Sequence, residues 1–357
     1  MIGDGAVSRR QVLLAGVAAA AGVAGCARLL RGGAGSPASL AEWLGHPVGA
    51  SLLIVHADDV GIAQSANAAT IGAFERGVID SASVMVPCPD FRQFAEWARG
   101  HRDADVGVHF TLTSQPLERW GPVAGAARVP TLVDSDGMFP ARWPAGRQVS
   151  LGELEVELRA QIALARNLGL DLTHLDGHQH LVQLRGAGVF GVLLRVARDE
   201  RLPFRFARAW LPHAAYAEPA IETATVPLER LIAISPGNAT DERWTEWYAS
   251  EIRKIPSGLN EVFVHLGIAN DELRAVVPDT APWGSAWRAR DLAAIGSDAF
   301  ADAVRHAGAT RIGWRRVRDY LRWRGTGSKA VFGVDAVPGA TMRPLVTPPS
   351  LKASTVK

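Results

Sequence analysis

Short apolar runs recur along this chain, each followed by a polar residue or two and then by a stretch with helical spacing. This alternation limits the fold more than any other feature. The runs are Leu52-Leu53-Ile54-Val55, Ser83-Val84-Met85-Val86, Val106-Gly107-Val108-His109-Phe110, Thr173-His174-Leu175-Asp176, Phe204-Arg205-Phe206-Ala207, Leu231-Ile232-Ala233-Ile234, Glu261-Val262-Phe263-Val264-His265 and Thr310-Arg311-Ile312-Gly313. Continuous apolar runs of this length suit strands buried on both faces. Between them, residues 67–76, 91–99, 151–168, 188–200, 244–254 and 298–307 carry helical patterns, with Gly77 and Gly169 as stops. Strands alternating with helices predict a parallel sheet covered by helices. Eight strands predict an α/β fold of the TIM-like (β/α) barrel type, regular or irregular, with a doubly wound open sheet as the alternative. Apolar residues at 48% are enough to fill such a core.

The two ends of the 357 residues read differently. Arg9-Arg10 precede an apolar run, Val12 to Val23, that is shorter than the ~20 residues a membrane span needs and suits a signal-peptide core. The run ends in Val23-Ala24-Gly25-Cys26, which resembles a bacterial lipoprotein box, and the paired arginines resemble a twin-arginine (Tat) export signal. The expected organisation is a signal over 1–26 with Cys26 as lipidation site, a Gly/Ala/Ser-rich tether over 27–49, a barrel over 50–324 and a tail over 325–357. The expected location is outside the cytoplasm, periplasmic or held to the membrane by a lipid anchor only. Cys88 is the second of only two cysteines, which leaves no disulfide framework or Cys-rich zinc site and reads as packing. Lys plus Arg number 38 against 36 Asp plus Glu, a balance that gives no footprint for nucleic acid. Oligomeric state is left open, a homodimer included.

Polar residues gather at the strand ends. Asp58-Asp59 follow the first strand, His109 ends the third, Asp176, His178 and His180 follow the fourth, and His265 ends the seventh. In α/β barrels this C-terminal rim carries the site. One carboxylate and two imidazoles can hold a divalent ion and leave positions open for water and substrate. A second carboxylate can take a proton from water, and a separate histidine can protonate a leaving group. Asp58 and Asp59, adjacent in sequence, point in different directions and can divide these jobs. His180 could orient a ligand or bind substrate. His56 and His174 read as packing or supporting groups. Eleven Trp against three Tyr suit core packing and also sugar-binding clefts.

These residues carry a resemblance. His56-Ala57-Asp58-Asp59-Val60-Gly61, Gly107-Val108-His109-Phe110-Thr111-Leu112, Thr173-His174-Leu175-Asp176-Gly177-His178-Gln179-His180 and Asn260-Glu261-Val262-Phe263-Val264-His265, with Arg290-Asp291-Leu292 and Ile312-Gly313-Trp314-Arg315, resemble the YdjC-like carbohydrate deacetylases. The likeness spans about Ser51 to Tyr320. It implies a TIM-like barrel and a hydrolase that uses a divalent metal (Mg2+ or Zn2+) to remove acetyl groups from N-acetylated sugars, with an oligosaccharide or glycolipid as substrate. By position, Asp59, His109 and His178 match metal ligands, Asp58 the general base, and His265 the late acid or oxyanion stabiliser. His56, Val60 and Leu266 depart from the residues the family often has there, and they flank the site. The insertion Ser114–Ser150 and the stretch Pro278–Arg288, with Trp283 and Trp287, are expected to bind substrate. Two other readings remain: a non-catalytic glycan-binding lipoprotein, and another metal-dependent barrel enzyme acting on sugars.

Overall fold

The computed structural model describes residues 39–143, 147–179, 187–211 and 218–325. The expected signal with Cys26, the first part of the tether, His180 and the tail beyond Gly325 lie outside these residues. In chain order the elements are α1 (Leu40–Trp43), β1 (Ser51–Val60), α2 (Gln64–Glu75), β2 (Ser81–Val84), α3 (Phe91–Gly100), β3 (Val106–Phe110), α4 (Leu151–Asn167), β4 (Leu172–Gly177), α5 (Ala187–Glu200) and α6 (Glu218–Ala224). They continue with β5 (Arg230–Ile232), α7 (Trp244–Ile252), β6 (Gly258–His265), α8 (Asp271–Val276), α9 (Ser285–Ile295), α10 (Asp298–His306), β7 (Thr310–Arg311) and α11 (Trp314–Gly325).

All pairings are parallel, in the order β4-β3-β2-β1-β6-β5. The open ends of that order are joined through residues 204–228. Leu175 bridges Phe204 and Ala207 bridges Leu228. The Leu175 N–H donates to Pro203 O at 2.8 Å and the Leu228 N–H to Phe206 O at 2.8 Å. The fold is therefore a closed, irregular TIM-like barrel, and the open-sheet alternative is excluded. The segment expected as a fifth strand contributes only these bridges, and Pro203 at its start has no N–H to extend a ladder. The expected eighth strand is the two-residue β7. It pairs with Leu52 and Leu53, on the edge of β1 that β2 takes only from His56 onward. β7 thus fills backbone groups that the splaying of β2 would leave unpaired.

Side-chain alternation along β1 sorts its residues. Leu53, Val55 and Ala57 join the main core beneath the helices. Leu52 and Ile54 join a separate apolar layer with Leu259, Ile312, Trp314, Val317 and Tyr320, which fills the lower end of the barrel. Higher on the same face come His56 and Asp58, both buried. Gly107 is required on β3, because a Cβ there would stand 2.5 Å from the buried His174 ring.

Three regions differ from the sequence expectation. Ser39 caps α1 by accepting from the Glu42 N–H, and Leu40 and Ala41 are buried in the lower layer, so residues 39–49 belong to the body rather than to a tether. The stretch read as a specificity loop around Pro278–Arg288 runs between two helices, α8 and α9, and includes the start of α9. The 114–150 insertion is packed in its described parts. Trp120, Val129, Leu132 and Phe139 are buried, and Glu157 of α4 accepts from the Val123 and Ala124 N–H groups at 3.0 and 2.8 Å.

Candidate active site

Parallel register brings the sequence-expected residues together before any side chain is considered. Asp58 pairs with His265 across β1 and β6, and His109 pairs with Asp176 across β3 and β4. A regular strand would send Asp58 and Asp59 to opposite faces. Instead β1 takes three residue steps from Ala57 to Val60 while β2 takes two from Ala82 to Val84. Asp59 lies in this irregularity with φ +64°, a left-handed conformation that non-glycine residues adopt at some cost and that gathers at functional sites. Gly61 follows at φ +96°, and its N–H donates to Asn67 Oδ1 at 2.8 Å. Both carboxylates therefore serve one site with separate partners.

Asp59 faces the imidazoles. Its Oδ1 lies 3.1 Å from His109 Nε2 and 2.8 Å from His178 Nδ1, and its Oδ2 accepts from Arg288 at 2.6 Å. His265 Nε2 stands 3.8 Å from the same Oδ2. The Nε2 of His178 is buried and has no hydrogen-bond partner among the described residues. One carboxylate and two imidazoles, one of them with a ring nitrogen left without a partner, form a donor set that fits a divalent ion, so Asp59, His109 and His178 could hold one. Asp176 supports this set. Its Oδ1 lies 2.8 Å from His109 Nδ1, which leaves Nε2 facing Asp59, an arrangement that fixes ring orientation in metal sites.

Asp58 faces the barrel axis. Both its oxygens accept from Arg205, at 2.7 and 3.0 Å, and His56 Nε2 lies 3.1 Å away. Arg205 also reaches Asp176 at 2.9 Å and Glu261 at 2.7 Å, and its guanidinium lies over the Phe263 ring. The group is buried throughout. Burial alone would push the Asp58 carboxyl up, but the Arg205 guanidinium overrides it and holds the carboxyl well below the usual range. Asp59 is also lowered, with His178 and Arg288 outweighing burial. For His109 burial pulls down, yet the Asp176 and Asp58 carboxylates push it up to about 10. Without an ion this imidazole is protonated and offers a positive charge to the carboxylates around it; to ligate an ion through Nε2 it would give up that proton. His265 behaves oppositely: burial lowers it to about 4, so its ring is neutral at pH 7.

His56 and His174, expected as packing or supporting groups, also lie with Asp176 in a second buried set whose ligand atoms are close enough to hold an ion. The His56 ring holds Ser81 Oγ at 2.8 Å, and His174 stacks on Trp314 below it. Trp283 is half-buried beside His265, with ring centroids 6.2 Å apart. Trp287 is only 8% exposed and packs edge-on against Trp244, so Trp283 carries the accessible surface of the pair. Cys88 is free and buried. Sequence reasoning missed Arg205 and Arg288 and noted Glu261 only as part of a motif, with no role. Arg205 and Glu261 lie within strand-like runs that read as core, and Arg288 lies on a helix that read as loop. Asp291 was noted only as part of a motif. It anchors the end of β6 by accepting from the His265 backbone N–H at 3.0 Å and from Trp244 and Tyr248.

The family model for YdjC-like proteins matches residues 52–306. A protein of Geobacillus stearothermophilus named carbohydrate deacetylase is 37% identical over 161 residues, 45% of this chain and 61% of the relative. A protein of Thermus thermophilus with the same name is 30% identical over 286 residues, 76% of this chain and 96% of the relative. A crystal structure from Enterococcus faecalis, provisionally named for cellobiose-phosphate cleavage, superposes with a TM-score of 0.63 at 25% identity, covering 74% of this chain and 98% of that one. The match to the Geobacillus protein thus spans about three fifths of that relative's length. Over most of the barrel, from β1 to the end of α10, the chain belongs to the YdjC-like protein family.

Proposed function

We propose that the chain is a metal-dependent hydrolase that removes acetyl groups from N-acetylated sugars. The observation that carries this reading is the meeting of Asp59, His109 and His178 beside Asp58 and His265 at one barrel rim. The names of the Geobacillus and Thermus relatives support the same reaction class. Asp59, His109 and His178 would hold a divalent ion, which when bound would supply a Lewis acid for the acetyl carbonyl and lower the pKa of water towards ~7.

The chain's own residues do the rest. Asp58 accepts the proton of the attacking water, and Arg205 and His56 keep its carboxylate ionised and fixed in direction. Arg288 occupies Asp59 Oδ2, which leaves Oδ1 turned to the two imidazoles. His265, with 13% of its side chain exposed, stands on the open side, where its neutral ring donates an N–H hydrogen bond to the developing oxyanion, and the proton taken up by Asp58 passes to the departing sugar amine. Water and the amide give acetate and a free amine. Trp283 offers a ring face to a sugar next to His265.

The substrate is an oligosaccharide or glycolipid. Export, with Cys26 as lipid anchor, rests on the Arg9-Arg10 and Val23–Cys26 patterns alone. Among the described residues no helix is long and apolar enough to cross a membrane. The reading is tested by acetate release from a panel of N-acetylated glycans with Mg2+, Zn2+ and Co2+. Asp58→Asn should lower the rate by about 10²–10⁴-fold. Glycan binding without any acetate release, unchanged in Asp58→Asn, would instead establish a binding protein.

A further inference from the structure

The barrel end opposite the site has its own chemistry. α11 crosses it, with Trp314, Val317 and Tyr320 packed inward against Leu52, Ile54 and Leu259. Its sequence holds five arginines, Arg315, Arg316, Arg318, Arg322 and Arg324, against one acid, Asp319. Two are spent internally: Arg315 pairs with Asp171, and Arg318 with Asp171 and Asp319. Arg316, Arg322 and Arg324 are exposed. Arg316 and Arg322 make no ion pair among the described residues. Arg324 lies over the Tyr320 ring and donates to the Glu222 carbonyl. Partial burial and the neighbouring Arg318 charge pull Arg322 below its ordinary value, as expected where like charges are crowded.

Aromatic and apolar groups accompany these charges. Trp43 of α1 packs against Tyr320 and Trp323, with centroids 5.8 and 6.4 Å apart, and both tryptophans are half-buried. Val48, in the turn from α1 to β1, is 77% exposed, the highest value among the exposed large hydrophobic residues. Guanidinium groups around half-exposed tryptophans and a projecting aliphatic residue match the interface of an anionic bilayer. Arginines meet headgroup phosphates there, and indole rings settle at headgroup depth.

We propose that this face, formed by α1, the 45–49 turn and α11, docks on anionic lipid headgroups and points the catalytic rim away from the bilayer. The inference rests neither on the deacetylase reading nor on lipidation of Cys26. It is tested with the full chain carrying Cys26→Ser, by sedimentation with phosphatidylcholine vesicles with and without phosphatidylglycerol. The expected result is binding that rises with the phosphatidylglycerol fraction and weakens with salt. The double variant Arg316→Gln/Arg322→Gln should lose this anionic component by on the order of tenfold while keeping the same thermal midpoint. Three results would each overturn the proposal: binding independent of phosphatidylglycerol, equal binding by the double variant, or capture by a soluble polyanion such as heparin without vesicle binding. Acetate release from a soluble substrate is expected to be unaffected by the double variant, so a failed docking test leaves the catalytic reading untouched.

Discussion

Leu52 and Ile54 enter the barrel among Leu259, Ile312 and Trp314, whereas His56 and Asp58, on the same face of the same strand, enter among Arg205, Asp176 and Glu261. The lower layer gains from removing apolar surface from water, and its residues need only the right volume. In the upper layer each charge is desolvated and must be matched by a partner, so its residues depend on one another. Trp314 joins the two layers, since its Nε1–H donates to Glu261 Oε2 at 2.9 Å. The lower half is thus a floor that tolerates change, and the upper half a set of groups held ready for chemistry.

Single substitutions should separate the halves. Arg205→Ala leaves Asp58, Asp176 and Glu261 without their shared cation. We expect unfolding free energy to fall by about 3–5 kcal/mol, measured by urea denaturation, with Arg205→Lys falling less. A loss below 1 kcal/mol would mean that the upper network is not held by this residue. A pH effect should come from Asp105, which accepts from the Arg315 N–H at 2.6 Å near the floor. Burial raises its carboxyl to about 6, although Thr173 and Arg315 oppose the shift. The folded chain therefore binds a proton that the unfolded chain releases between pH ~4 and ~6, so stability should fall as pH rises through that window, by at most ~1.4 kcal/mol per pH unit. Asp105→Asn should flatten this part of a midpoint-against-pH curve. The smallest effect is expected at the floor itself. Ile54→Val should cost about 0.5–1.5 kcal/mol and leave kcat unchanged. A large fall in kcat there would show that the layers are not separable.

Much of this was legible in sequence because periodicity reports burial locally. The β1, β3, β4 and β6 runs stood out, and so did the histidines and aspartates at their ends. The parts that were missed depend on distant partners. Nothing near Arg205 in sequence shows that it will meet Asp58, 147 residues away, and Arg288 meets Asp59 across 229 residues. The irregularity that turns Asp58 and Asp59 into one site arises from unequal steps in β1 and β2, which neither strand reveals alone. Residues 204–207 read as a full strand, yet Pro203 and the short β5 leave only bridges there. α8 did carry a local signal: Asn270 caps it by accepting from the Leu273 N–H at 2.9 Å, with Asp271 and Glu272 in its first turn.

The central claim is that the upper layer is a divalent-metal site for deacetylation. Calorimetric titration of metal-stripped protein, paired with acetate release at each step, tests it most directly. The account predicts one ion bound per chain, activity that vanishes on stripping and returns in proportion to occupancy, and neither binding nor acetate release in folded His109→Ala. Full acetate release from stripped protein, insensitive to chelator and to His109→Ala, would contradict it.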